Sequence, residues 1–161
     1  MTDNAERGGN TITKVIKFGL IAGLASTIVM DLAMVGIFAI MGTPVGSFLA
    51  LIGTTMLTLL GTTMVDPLPL GVALHYLIGL LTGILFGAVT SRVNALRTNT
   101  YKRGVTLGIL VAQVEGIVLF LLMALILGMS LSEMGMIFGL GFVLHLIWGT
   151  VLGGVVSYGL R

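Results

Sequence analysis

The two histidines of the chain, His75 and His145, lie in segments that are nearly copies of each other. Segments 71–83 and 141–153 both contain a Leu-His pair followed by glycines four and eight residues after the histidine. Neutral imidazole binds iron, copper and zinc, and it also exchanges protons near neutral pH. Two such side chains within apolar segments could therefore ligate a haem or a metal ion, or relay protons.

Two carboxylates accompany the histidines. Asp31 and Glu115 each lie near the middle of a long apolar run, and with His75 and His145 they are the only acidic or basic side chains within the predicted spans. An ionisable group inside a bilayer is costly unless it faces the bundle interior and has a partner. We therefore expect a candidate intramembrane polar site of two His–carboxylate pairs, with Asp31 and Glu115 as the partners of the histidines.

Three classes of function are compatible with these four side chains. Polar groups between membrane helices commonly do no more than hold the helices together, and this favours a non-enzymatic accessory or structural subunit of a larger membrane complex. Ligation of haem b or a metal ion by His75 and His145 is a second possibility. A carrier that relays protons or a cation through all four side chains is the third. No known catalytic motif is present, so we predict no catalytic residues and no enzyme activity.

The composition indicates the class of protein. Hydrophobic residues make up 57% of the 161 residues and charged residues only 9%, which is too little polar surface to cover a soluble core. The chain is predicted to be an integral membrane protein whose partners are the lipid bilayer and other membrane subunits or a second copy of itself. The basic residues adjoin apolar runs, where they orient a protein in the bilayer, so we expect no nucleic-acid binding.

Five apolar runs cover 18–41, 45–65, 70–90, 104–127 and 136–158. If 45–65 does not cross, all eight basic residues lie on one side of the membrane, as the positive-inside rule requires. The prediction is therefore four transmembrane helices, with both termini cytoplasmic in a prokaryotic cytoplasmic (inner) membrane. The 45–65 segment becomes an extra interfacial or re-entrant helix, and Asp66 and Pro67 break the chain after it.

An internal repeat in the sequence also supports four transmembrane helices. Gly19 and Gly104 open corresponding helices at an offset of 85, whereas the histidine segments are offset by 70, so the first copy contains an insertion. The predicted fold is an all-α bundle, a duplicated (2+2) parallel hairpin with the two copies related by an axis along the membrane normal. Its parts are a polar segment 1–17 and one bundle, 18–161, in which repeat one is 18–91 with the insert 45–65 and repeat two is 102–158.

Small residues in both copies predict close helix packing. The glycines expected to form these seams are Gly19, Gly23, Gly79, Gly83, Gly104, Gly108, Gly149 and Gly153.

The order of a glycine-rich helix, a carboxylate, a break, and then Leu-His followed by two glycines resembles a group of small prokaryotic four-span membrane proteins with a duplicated glycine- and histidine-containing hairpin. That group has no assigned activity, so the resemblance implies a fold and not a function.

Overall fold

The computed structural model describes residues 3–62 and 64–160, with side chains from residue 12 onward. Its five α-helices are α1 (Asp3–Met41), α2 (Ser47–Leu59), α3 (Pro67–Arg92), α4 (Tyr101–Leu127) and α5 (Leu131–Gly159). A short 3₁₀ helix, Asn94–Leu96, lies between α3 and α4. The described ranges contain no strand, which confirms the predicted all-α class.

Four of these helices are long and apolar enough to cross a membrane. They are α1 from Ile12 onward, α3, α4 and α5, with 26 to 30 residues each and mean hydropathies of 1.9 to 2.6. At about 1.5 Å per residue, each exceeds the roughly 30 Å hydrocarbon core of a bilayer. Large apolar side chains also point outward, among them Leu125 (70% exposed) and Val114 (63% exposed). The chain therefore has the architecture of a small integral membrane protein.

The remaining helix, α2, falls within the segment that was predicted not to cross. It has 13 residues and is about 20 Å long, which is less than the hydrocarbon thickness. Gly42 and Gly61 flank it with φ angles of +66° and +67°. Glycine adopts this left-handed conformation without the steric cost that other residues incur, so the chain can turn sharply at both ends of α2.

Local capping explains where α3 and α5 begin. Asp66 is the N-cap of α3, and its carboxylate accepts a hydrogen bond from the Leu68 N–H at 3.0 Å, which confirms the predicted break before this helix. α5 begins at Leu131, ahead of the apolar run that starts at 136. Ser130 and Glu133 form a capping box there, and because this first turn is polar, hydropathy alone misses it.

Glycines bring the long helices together in two pairs, α1 with α3 and α4 with α5. Gly19 adjoins α3, where an added Cβ would lie 2.7 Å from the Ile84 Cα, and Gly149 adjoins α4, where a Cβ would lie 2.7 Å from the Ile109 Cα. All eight seam glycines lie at such crossings, where an added Cβ would approach atoms of the neighbouring helix more closely than 3.0 Å. Only a residue without a side chain allows this separation.

The two pairs join mainly through α1 and α5. Their shared core consists of fully or nearly fully buried side chains, which include Met30, Met34, Phe38, Leu144, Trp148 and Leu152. α3 and α4, in contrast, make very few direct contacts. α2 packs closely on α3 through Gly53 and Gly71, and it reaches α4 through an edge-on contact of the Phe48 and Phe120 rings at 6.0 Å.

Candidate intramembrane binding site

The first His–carboxylate pair forms between α1 and α3. His75 Nε2 lies 2.9 Å from Asp31 Oδ1, and the two side chains are 9% and 19% exposed. The predicted partnership of Asp31 with His75 is therefore confirmed. A carboxylate on one ring nitrogen orients the imidazole and determines which nitrogen carries the proton.

The second predicted pair does not form. His145 Nδ1 lies 2.9 Å from the Gly141 carbonyl oxygen, one turn earlier in α5, and not beside Glu115. The reason is the position of the carboxylate on its helix: at the offset of 85, the residue that corresponds to Asp31 is Gly116. A Cβ on Gly116 would lie 3.0 Å from the His145 ring, and Glu115, one residue earlier, points about 100° away around α4.

Glu115 points towards α3. Its Oε1 atom accepts a hydrogen bond from the Thr82 hydroxyl at 2.8 Å. Its Oε2 atom is buried and has no hydrogen-bond partner in the described part of the chain. Sequence reasoning missed Thr82, although a signal existed: Thr82 follows His75 by two helical turns and so lies on the same face of α3.

A cavity of about 270 Å³ lies where α3 and α4 fail to pack, and it contains three of the four predicted polar side chains. His75, His145 and Glu115 line it, whereas Asp31 lies outside the lining and acts only through its contact with His75. The rest of the wall is almost wholly apolar. α2 contributes one helical face to it, consisting of Phe48, Ile52, Thr55, Met56 and Leu59.

A tryptophan forms the wall of the cavity on the α1 and α5 side. Trp148 is 3% exposed, and its indole N–H donates to the Thr27 hydroxyl at 3.2 Å. Thr27 in turn donates to the Gly23 carbonyl in α1 at 2.9 Å. Both Trp148 and Thr27 line the cavity. This hydrogen-bonded pair was not predicted, since the two residues are 121 positions apart in the chain.

A second cavity, of about 320 Å³, continues along the same opening towards the other end of the bundle. It extends from Thr82 and Glu115 to Leu96 in the 3₁₀ helix, and its lining is otherwise mainly apolar. Glu115 lines both cavities. This side chain thus forms the partition between them, near the middle of the opening.

The described side chains do not form a metal site of three or more protein ligands. Among the side chains described, those of residues 12–62 and 64–160, no three His, Asp or Glu groups are placed to hold one metal ion. His75 uses Nε2 for Asp31 and His145 uses Nδ1 for a backbone carbonyl, which leaves one ring nitrogen on each.

No protein-family model, no curated protein and no solved structure matches this chain. The resemblance to small four-span membrane proteins therefore stays a prediction. What the protein does has to be inferred from the cavity and its polar side chains.

Proposed function

We propose that this small integral membrane protein is not an enzyme and that it binds a small, largely apolar molecule inside the bilayer, in the cavity between α3 and α4. The observation that carries this proposal is the buried Oε2 atom of Glu115, which has no partner in the described residues and borders a preformed cavity. A buried polar atom without a partner is costly. A ligand that supplies the missing hydrogen bond would remove this cost.

The walls of the cavity suggest the route that the ligand takes. Leu59 of α2 and Leu122 of α4 line the cavity, yet they are 60% and 48% exposed on the outside of the bundle. The cavity thus reaches the apolar surface that faces lipid. A molecule dissolved in the bilayer would enter between α2 and α4, with its apolar part among Phe, Leu and Ile side chains and its polar part at Glu115.

The duplicated architecture is part of the same proposal. Corresponding glycines support it: Gly23 of α1 packs against Gly79 of α3, and Gly108 of α4 packs against Gly149 of α5. In this view α2 is an insertion in the first copy, lying at the interface or re-entrant, which packs beside α3 and separates it from α4. The distribution of basic residues supports cytoplasmic termini in a prokaryotic inner membrane.

A role as an accessory subunit is the second candidate. The observation in its favour is the same opening between α3 and α4, which could receive apolar side chains of a partner helix instead of a small molecule. Purification in mild detergent separates the two candidates, because a partner protein present in stoichiometric amount would support the accessory role and contradict free access of a ligand to the cavity.

The binding proposal can be tested with adamantyl diazirine, an apolar photolabel that partitions into membranes. In nanodiscs, we expect it to label the cavity residues Met56 and Met123 more strongly than Leu125, which lies on the outer surface. At the offset of 70, Ile78 of α3 corresponds to Trp148 of α5. The variant Ile78→Trp introduces the same large side chain at the cavity wall in α3. It should abolish the preferential labelling of Met56 and Met123.

Leu81→Trp is the matched control, because Leu81 is on the same helix, is 50% exposed and does not line the first cavity. This variant should be labelled like the wild type. Equal labelling of the cavity and surface residues in the wild-type protein, or the same pattern in both tryptophan variants, would contradict the proposal.

A further inference from the structure

We infer that the molecule bound in the cavity is an organic cation, with an apolar body and a protonated amine that pairs with Glu115. This inference rests on the proposed function and adds to it the chemical class of the ligand. In its ionised form, the carboxylate of Glu115 only accepts hydrogen bonds, and Thr82 already donates to Oε1. The complement of the free Oε2 atom is therefore a donor, and an ammonium group supplies both a donor and the opposite charge.

The described linings of the two cavities contain no fixed positive charge, and this excludes an anionic ligand. Neither cavity has a lysine or an arginine among its lining residues in the described part of the chain. The basic side chains near these helices lie at one end of the bundle, with Arg92 at the end of α3 and Lys102 and Arg103 at the start of α4. A fatty acid or a phosphate would thus meet Glu115 without a counter-ion, which is unfavourable in a low dielectric.

Aromatic rings of the wall favour a cation as well. Phe48 of α2, Phe120 of α4 and Trp148 of α5 all line the cavity that Glu115 borders. The negative faces of such rings attract an ammonium group, and the attraction is stronger in a desolvated site than at an exposed one. Glu115 and Phe120 lie on α4, whereas Phe48 and Trp148 come from α2 and α5, so only the assembled bundle places the charge and all three rings around one cavity.

Binding of a cation should compete with protons. A carboxylate without a counter-ion is unfavourable in the bilayer, so the empty site holds Glu115 as the neutral acid. When the ammonium ion binds, Glu115 releases its proton to the solution, and one proton leaves for each cation that enters. The other titratable groups near the cavity are His75, with Asp31 and Tyr76 beside it, and His145. α2 contributes none.

The charge of the ligand can be tested with three compounds that share one apolar body. 1-Adamantylamine, 1-adamantanol and 1-adamantanecarboxylate compete with adamantyl diazirine for labelling of Met56 and Met123 in nanodiscs. We expect the amine to compete at a concentration about tenfold or more below that of the alcohol, and the carboxylate not to compete. Equal competition by all three would overturn the inference while leaving the binding proposal intact. Absence of cavity labelling would instead contradict the proposed function.

The variant Glu115→Gln tests whether the preference for the amine over the alcohol depends on this one side chain. This variant should bind the amine and the alcohol with similar strength, and retained competition by the alcohol shows that the cavity is still folded. Glu133→Gln is the matched control, because Glu133 lies in the exposed first turn of α5, outside both cavities. It should keep the wild-type preference for the amine. Persistence of the full preference in Glu115→Gln would overturn the inference.

Competition with protons is tested with a ligand that cannot titrate. N,N,N-Trimethyl-1-adamantylammonium has a permanent charge, so any pH dependence of its binding belongs to the protein. It has no N–H donor and therefore pairs with Glu115 through its charge alone. We expect its competing strength to fall as the pH is lowered in the wild type, and to lose most of this dependence in Glu115→Gln. An unchanged pH dependence in that variant would assign the effect to the histidines and overturn the role of Glu115.

Discussion

The contacts between the two helix pairs differ sharply on the two sides of the bundle. On one side α1 and α5 share a closed core, and on the other side α3 and α4 enclose two cavities. The offset of 70 aligns the two sides residue by residue. Trp148 and Leu152 fill the closed side, and Ile78 and Thr82 occupy the corresponding positions on the open side.

The partner helices differ in the same way. Met30 of α1 is 5% exposed, in the core that α1 shares with α5 and at the wall of the first cavity. The residue at the corresponding position of α4, 85 residues later, is Glu115. The position of the Met30 thioether in α1 is thus taken in α4 by the Glu115 carboxylate, which accepts a hydrogen bond from Thr82 through one oxygen. The comparison teaches that the open side has smaller residues at the positions of Trp148 and Leu152 and a carboxylate at the position of Met30, and that cavities lie beside these residues.

The short helix α2 lies on the open side. It packs on α3 where Gly53 approaches the Pro67 backbone and Gly71 approaches the Leu49 backbone. Phe48 then contacts Phe120 of α4. This short helix therefore lies between α3 and α4, and its residues bound the first cavity together with residues of the long helices.

Removing the tryptophan should give the largest effect. We expect Trp148→Ala to lower the free energy of unfolding by about 3 kcal/mol, at the lower end of the range for soluble cores because lipid surrounds the separated helices. Ile78→Ala should cost less than about 2 kcal/mol, since that side chain is smaller than tryptophan and only partly buried. Reversible unfolding in mixed micelles measures both values, and equal losses would show that the two sides are packed alike.

Adding a methyl group to the seams should have a smaller effect. In Gly149→Ala the new Cβ meets backbone, with the Ile109 Cα at 2.7 Å, whereas in Gly79→Ala it first meets the Thr27 hydroxyl. A backbone atom cannot move aside without shifting the helix, so we expect Gly149→Ala to cost about 2 kcal/mol and Gly79→Ala less. A larger loss of thermal stability in the Gly79 variant would reverse this order.

Removing the Thr82 hydroxyl should have the smallest effect. Thr82→Val preserves the shape of the side chain but deprives Glu115 Oε1 of its donor at 2.8 Å, and hydrogen bonds between membrane helices are worth about 0.5–1.5 kcal/mol. Thr90→Val is a fitting control, because the Thr90 hydroxyl donates only within its own helix, to the carbonyl oxygens of Phe86 and Gly87. Loss of the same free energy in both variants would show that the contact with Glu115 contributes nothing specific.

Much of the fold could be predicted from the chain. Hydropathy and length identified the four long helices, and the sequence Asp66-Pro67 placed the start of α3. The Asp31–His75 pair could also be predicted, because these side chains have few alternatives inside apolar helices. The start of α5 was missed because its first turn is polar and capped by Ser130, so hydropathy places this turn outside the apolar run.

The site was only partly predictable. His145 was expected to pair with Glu115, and this was wrong because a shift of one residue along a helix turns a side chain by about 100°. The bond from Trp148 to Thr27 joins residues far apart in the chain, and no local pattern signals such a contact. Thr82 was missed as a partner of Glu115 because the two helices approach each other here only through their side chains.

The sequence by itself determined the membrane class, the four long helices and the residues able to carry charge within them, because these follow from hydropathy, helix length and the cost of burying ions. Only the tertiary structure decided that three of the four polar side chains share one cavity and that Glu115 keeps one oxygen free. The physical reason is that a cavity is a failure of packing between elements. It depends on how α2 fits between α3 and α4, which residue types and spacing along one chain do not specify.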